Sequence, residues 1–466
     1  VLKTDIIEKM NKKRLLEKTL EAPSITLEKG INEGQKLAKN NPLKNSHPVS
    51  KMKNYWYNLG PGLTTGASDD DPSGIATYSQ AGAQFGFKFL WLAAFTFPLM
   101  AVVQEVCARI GLVTGKGLAA NIKTHFGKKI LYISTILLFL ANTFNIGADL
   151  GAIASGVQLL NKGFNFYLLV IFFTLFILLL QIFTPYVKYA RYLKWLALIL
   201  FTYIVSAFLA HPDWHTVFSN AFVPKISWNK NEILIVCAIL GTTITPYLFF
   251  WQTSQEVEEQ SAAGQNNNVY RNLNVDKEIK KMRIDVWSGM FLSNVVMFFI
   301  IAACASVLFR HEVTNISTAA QAAEALRPFA GNATYLLFAA GIIGVALLAI
   351  PVMAASSAYA ISESLGKRQG LSKKLQNGRL FYGVIILSML LGMGFNFLGL
   401  NPIKALIYSA VLNGLVAPVI LTLIMLLGRN KKVMGEHKSG RASNFFGWLL
   451  IFFMSIAGIA TLYSLF

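Results

Sequence analysis

The stretch Gly66-Ala67-Ser68-Asp69-Asp70-Asp71-Pro72-Ser73-Gly74 decides how this chain is read. Three adjacent carboxylates interrupt an apolar segment long enough to cross a bilayer. Ionised groups at that depth are costly unless they meet water, protons or a cation. Pro72 removes a backbone donor and Gly74 adds conformational freedom, so the helix is expected to unwind over Asp69–Ser73, with carbonyls freed at the break. The competing reading ends one helix near residue 68 and puts the acids in an aqueous loop. It would require Ile75 to Phe89 to begin a span without any polar connection.

Further along, Gly241-Thr242-Thr243-Ile244-Thr245-Pro246-Tyr247 forms a second break, expected over Thr242–Pro246. A lone proline in a membrane helix is usually a kink. Two breaks, each opening a group of five spans, form the sequence pattern of an inverted-repeat transporter with its substrate between the repeats. No residue-level identity relates the two halves, so the repeat is read from pattern alone.

Apolar stretches long enough to span occur near 55–85, 88–113, 129–160, 165–186, 189–210, 231–254, 285–308, 333–361, 379–397, 402–428 and 443–466. The fold class is therefore an all-α polytopic membrane protein. A basic tail (1–54) precedes one transmembrane domain (55–466), with repeats at 55–210 and 231–428 and an extra helix at 443–466. Composition agrees: 54 % of the 466 residues are hydrophobic and 14 % charged, which excludes a soluble enzyme. Cys107, Cys237 and Cys304 lie far apart in apolar runs, as small packing residues.

The net charge of +19 would suggest nucleic acid in a soluble chain. Here it sets topology, and no nucleic-acid partner is expected. With the amino terminus inside, 35 of the 42 Lys and Arg fall on the cytoplasmic side and 7 outside. The positive-inside rule favours that orientation, with the carboxyl terminus external.

The acids, hydroxyls and carbonyls at the breaks are hard oxygen donors suited to Mg²⁺, Ca²⁺ or Mn²⁺. Neither break contains Met, Cys or His, and all six histidines lie in the tail or loops. Glu105 and Arg109, four apart, are expected to pair. Asp149, flanked by Gly147 and Gly151, is either a pathway group or a buried hydrogen-bonding residue. Asn294 is either interhelical glue or a cavity residue. Gly111-Leu112-Val113-Thr114-Gly115-Lys116-Gly117 is one residue short of a P-loop and lacks Ser or Thr after the lysine.

From about Tyr55 to Phe466 the chain resembles the Nramp family of divalent-metal transporters. The likeness rests on Gly60-Pro61-Gly62, Asp71-Pro72, Gln104 through Gly111, Asp149-Leu150 and Thr245-Pro246-Tyr247. It implies a LeuT-type fold of ten inverted-repeat helices with an eleventh. The family's Asp-Pro-Gly-Asn becomes Asp71-Pro72-Ser73-Gly74, and its Met-Pro-His becomes Thr245-Pro246-Tyr247. Its carbonyl ligand maps to Thr242, the acid three residues after Asp149 is Ala152, and a tenth-span Gln ligand falls on Ala410. These departures resemble the divergent branch described as Nramp-related magnesium transporters. The resemblance implies a hydrated Mg²⁺ site, with Mn²⁺ also accepted, built on Asp71, Thr245 and the Thr242 carbonyl. Asp69, Asp70, Ser73 and Gly74 would complete its surroundings. Tyr247, Asp149 and Asn294 are pathway or proton-related candidates. The metal is cargo, and no cofactor is expected.

Ordinary proton-coupled Mn²⁺/Fe²⁺ uptake is the alternative. From other classes come LeuT-type uptake of an organic cation or amino acid, and a non-transporting membrane receptor. A bacterial inner membrane is the expected location.

Overall fold

The computed structural model describes residues 55–465 apart from 57–58, 185, 226, 228, 263–267, 315, 317 and 399–401. The tail at 1–54 lies outside the described residues. Contacts divide the chain into two units, Val1–Leu59 and Gly60–Phe466, and everything below concerns the second.

That unit is helical throughout its described residues. The elements that position the site are α1 (Pro61–Asp69), α2 (Pro72–Phe85), α3 (Trp91–Thr114), α4 (Leu118–Phe126), α5 (Lys128–Leu160), α6 (Phe166–Phe183), α7 (Lys230–Thr243), α8 (Pro246–Ala262), α9 (Asn268–Val307), α10 (Ala319–Ser364), α11 (Arg379–Phe395), α12 (Pro402–Arg429) and α13 (Arg441–Leu465). Among the described residues, nine helical segments are long and apolar enough to cross a membrane. The broken pair α1–α2 and the 17-residue α11 are not among those nine.

Burial shows what solvates the bundle. On α6, Leu168, Phe172, Leu175, Leu179 and Phe183 are exposed, while Val170, Thr174, Ile177 and Gln181 face inward. An outward face made of Leu and Phe is stable only against lipid. The polar residues are inside, and the site is built from them.

Both helix breaks follow from their prolines, yet each is shorter than the sequence suggested. α1 ends at Asp69 and α2 starts at Pro72, leaving only Asp70 and Asp71 between them. α7 ends at Thr243 and α8 starts at Pro246, leaving only Ile244 and Thr245. A residue before proline avoids the α region, and proline fits the first helical position. One non-helical pair is therefore enough. Asp69 and Thr242 stay in the last turns of their helices, and Ser73 lies in the first turn of the next.

α9 holds the broken helix by close backbone contact. A Cβ on Gly66 would fall 2.1 Å from the Gly289 carbonyl oxygen, and one on Gly289 would fall 2.0 Å from that of Gly62. The start of α1 is capped from α9 as well. Asp285 accepts hydrogen bonds from the amides of Gly60 (2.8 Å), Gly62 (2.7 Å) and Leu63 (3.1 Å). These are the donors that a helix N-terminus leaves unsatisfied. Pro61, having no N–H, asks nothing of the cap.

The expected pair of Glu105 and Arg109 is present, and α9 joins it. Arg283 reaches Glu105 at 3.0 Å, and the Trp287 indole donates to it at 2.8 Å. The three cysteines are buried. Ala410 lies in α12 where side chains are outside the described residues.

Candidate functional site

Each break-point proline strips one carbonyl of its helical partner. An α-helical carbonyl accepts from the N–H four residues later. Pro72 stands four after Ser68, and Pro246 stands four after Thr242, so neither carbonyl can be satisfied that way. The two are then treated differently. Tyr247 donates its phenol hydrogen to the Ser68 carbonyl at 2.7 Å. The Thr242 carbonyl, at the end of α7, remains the acceptor that a cation can use.

Asp71 is the N-cap of α2. Its Oδ1 accepts from the Gly74 amide (2.8 Å) and the Ser73 hydroxyl (2.5 Å), while Oδ2 has no hydrogen bond among the described residues. One oxygen thus fixes the carboxylate and the other is offered. Ser73 is engaged in orienting Asp71, and its hydroxyl also lies 3.3 Å from Thr242 Oγ1. This pair joins the two breaks. Gly74 contributes its amide and its lack of bulk, since a Cβ there would sit 3.1 Å from Thr242 Oγ1. Thr245 Oγ1 is buried and has no hydrogen bond among the described residues.

Around this core the charge is negative. Asp69, Asp70 and Asp71 are fully buried and Asp149 nearly so. Asp69 Oδ2 accepts from Ser293 at 2.9 Å. Its Oδ1 and both oxygens of Asp70 and Asp149 have no hydrogen bond among the described residues. Asp149 lies within electrostatic reach of Asp71 and Tyr247. None of the four carboxylates forms an ion pair with Lys or Arg among the described residues. Buried charges of one sign need protons or cations. No three His, Cys, Asp or Glu side chains there converge as a resident metal centre would require. The donors the two breaks offer are carboxylate, hydroxyl and carbonyl oxygens.

The structure therefore brings Asp71, Ser73, Gly74 and Thr242 together, with Tyr247 bridging to the first break. Asn294 is different. Its amide bonds the Met290 carbonyl and Met100 Sδ and accepts from Thr96, so it fastens α9 to α3. It also lines an apolar cavity with Ala93, Phe97 and Phe291. Sequence reasoning passed over Asp285, Ser293 and Ser356, whose hydroxyl donates to the Tyr247 carbonyl at 2.7 Å. It also passed over Ser68, although the proline four residues later was a visible signal.

Paired helix breaks inside an otherwise apolar bundle are the architecture of secondary transporters, and this chain is of that class rather than an enzyme. The family follows from sequence: the chain belongs to the Nramp family, natural resistance-associated macrophage protein-like, whose profile matches residues 62–464. It is 25 % identical over 430 residues to the divalent metal cation transporter MntH of Caldanaerobacter subterraneus subsp. tengcongensis, covering 90 % of this chain and 96 % of that one. It is 24 % identical to MntH of Clostridium acetobutylicum over 421 residues, covering 88 % and 91 %. Among solved structures, the Eremococcus coleocola manganese transporter superposes with a TM-score of 0.70 at 19 % identity, covering 90 % of this chain and 89 % of that one. Mhp1, a nucleobase-cation-symport-1 family transporter, superposes with a TM-score of 0.55 at 14 % identity, covering 87 % and 91 %. The fold is the LeuT type.

Proposed function

We propose that this chain carries a divalent metal cation across the membrane by alternating access, with Mn²⁺ among its substrates. The observation that carries this reading is the Asp71 carboxylate. One of its oxygens is pinned by Gly74 and Ser73, and the other is buried with no hydrogen bond among the described residues, while Ser73 lies 3.3 Å from Thr242 Oγ1 of the second break. Asp71 Oδ2, Thr245 Oγ1 and the Thr242 carbonyl are the direct ligands. Asp69 and Asp70 hold the ion's waters, and Asp149 and Tyr247 border the path. The two MntH proteins are divalent metal cation transporters and the Eremococcus coleocola protein a manganese transporter, which puts Mn²⁺ ahead of the Mg²⁺ preference expected from the sequence.

Mg²⁺ stays as a second reading on one observation. The donors at both breaks are all oxygen, with threonine where the family has a thioether. An ion that dehydrates reluctantly fits such a site.

The chain lies with its amino terminus in the cytoplasm and its carboxyl terminus outside, in a bacterial inner membrane. Residues 55–210 and 231–428 form the two repeats, 443–466 adds a helix, and 1–54 is a basic tail that meets anionic lipid. Flux into proteoliposomes tests the function: entry of Mn²⁺ or Mg²⁺ supports it. Uptake of an organic solute alone, or metal binding without flux, would replace it with one of the rival classes.

A further inference from the structure

A second set of buried carboxylates stands apart from the helix breaks. Glu258 on α8 and Glu363 on α10 line a polar cavity of about 180 Å³, together with Ser254, Ser261, Lys116 and Lys373. Both glutamates are more than nine-tenths buried, at 6 % and 5 % exposure. Glu258 Oε1 accepts from the Tyr359 hydroxyl at 3.1 Å, while Oε2 has no hydrogen bond among the described residues. Glu363 accepts from the Ala120 amide and from Gln369, each at 3.1 Å, which fixes its position at the start of α4. A Cβ on Gly117 would fall 1.7 Å from Glu363 Oε1, so the loop entering α4 fits closely over this carboxylate.

The two lysines at this cavity are exposed, so their charge is hydrated and screened. The desolvated charge is that of the two carboxylates. Inside the cavity, then, the local chemistry favours a cation and rejects phosphate, in keeping with the incomplete P-loop spacing of Gly111 to Gly117. The space holds an ion with several of its waters. Its placement is informative too. Thr245 lies at the start of α8 and Glu258 lies 13 residues on, about 20 Å at 1.5 Å per residue. Ser356, which braces Tyr247, and Glu363 are separated by 7 residues of α10, about 10 Å. Two helices that frame the helix breaks therefore run directly to this cavity. In the orientation proposed above, it lies on the cytoplasmic side.

We propose that Glu258 and Glu363 form a second, release-side site for a hydrated divalent cation, occupied after the ion leaves Asp71. This proposal rests on the reading of the chain as a divalent-cation transporter. Electrostatic attraction toward a buried pair of carboxylates draws the ion off the first site, and the retained waters let it leave again.

Mn²⁺ binding to the purified full-length protein tests it, counted by equilibrium dialysis with paramagnetic detection. Wild type should bind two equivalents, Asp71→Ala one, and the Glu258→Gln, Glu363→Gln double variant one. Glu258→Gln alone, whose amide oxygen still accepts from Tyr359, should weaken the second equivalent about tenfold, which guards against misfolding of the double variant. In proteoliposomes the double variant should slow Mn²⁺ release into the compartment facing the cavity by about tenfold. Full wild-type stoichiometry in the double variant would overturn the release-side site and leave the transport reading standing. Absence of Mn²⁺ binding by the wild type would overturn the transport reading itself.

Discussion

The Tyr247 phenol donates to the Ser68 carbonyl at 2.7 Å, which is the carbonyl that Pro72 leaves without a helical donor. One break thus supplies the hydrogen bond that the other has lost. Thr242 has the equivalent position before Pro246, and its carbonyl is the one we propose as an ion ligand.

Tyr247→Phe removes that donor and leaves a buried carbonyl unsatisfied, at a cost of about 1–3 kcal/mol. Thermal denaturation in detergent should show a lower midpoint, and metal flux should fall severalfold. An unchanged midpoint together with unchanged flux would mean that the bond does not hold the breaks together.

Gly74→Asn restores the residue at the corresponding family position, but its Cβ meets Thr242 Oγ1 at 3.1 Å. That contact is tighter than ordinary packing. The single variant should lose about tenfold in Mn²⁺ flux. Adding Thr242→Ala, which removes the hydroxyl and keeps the carbonyl ligand, should recover most of the loss. Additive losses in the double variant would show that the two positions are not coupled.

Thr245→Met replaces a hydroxyl by a thioether and should shift preference toward softer ions. Competition of Cd²⁺ against Mg²⁺ for Mn²⁺ uptake reads this directly, with an expected change of about tenfold in favour of Cd²⁺. Unaltered competition would remove Thr245 from the ligand set.

The membrane-embedded chemistry was legible wherever one residue type dictated it. Pro72 and Pro246 announce the breaks, and the unbroken run Asp69–Asp71 announces a buried cluster of carboxylates. The length of each break was not, because proline at the first helical position needs only one non-helical pair before it. Ser73 is placed in the site's surroundings by position alone, and only the packed structure shows its hydroxyl bonded to Asp71. Asp285 gave no signal, since it caps a helix start 223 residues away from Gly62. The backbone approach of Gly62 and Gly66 to Gly289 makes that contact, and only the packed bundle reveals it. Asn294 carries two readings in the sequence, and the structure gives it both interhelical partners on α3 and α9 and a place at a cavity wall.

Proton coupling is expected to be weak or absent. None of the six histidines lies in a sequence-read span, Ala152 cannot titrate, and the Tyr247 phenol hydrogen is engaged by the Ser68 carbonyl. The membrane potential then drives uptake, at roughly 2.3 kcal/mol per charge per 100 mV and about twice that for a divalent ion. A pH-sensitive dye trapped in the vesicle lumen should stay constant while metal enters. Acidification matching the rate of metal entry would contradict this, and loss of that acidification in Asp149→Asn would identify the carrier.

The central claim is that a divalent cation is moved through a site built on Asp71. The most direct measurement is Mn²⁺ and Mg²⁺ influx into proteoliposomes under an interior-negative potential, comparing wild type with Asp71→Ala. The account predicts saturable influx of at least one of these ions through the wild-type protein, reduced by at least about a hundredfold in Asp71→Ala. Equal influx through both proteins, or no influx of either ion through the wild type, would contradict it.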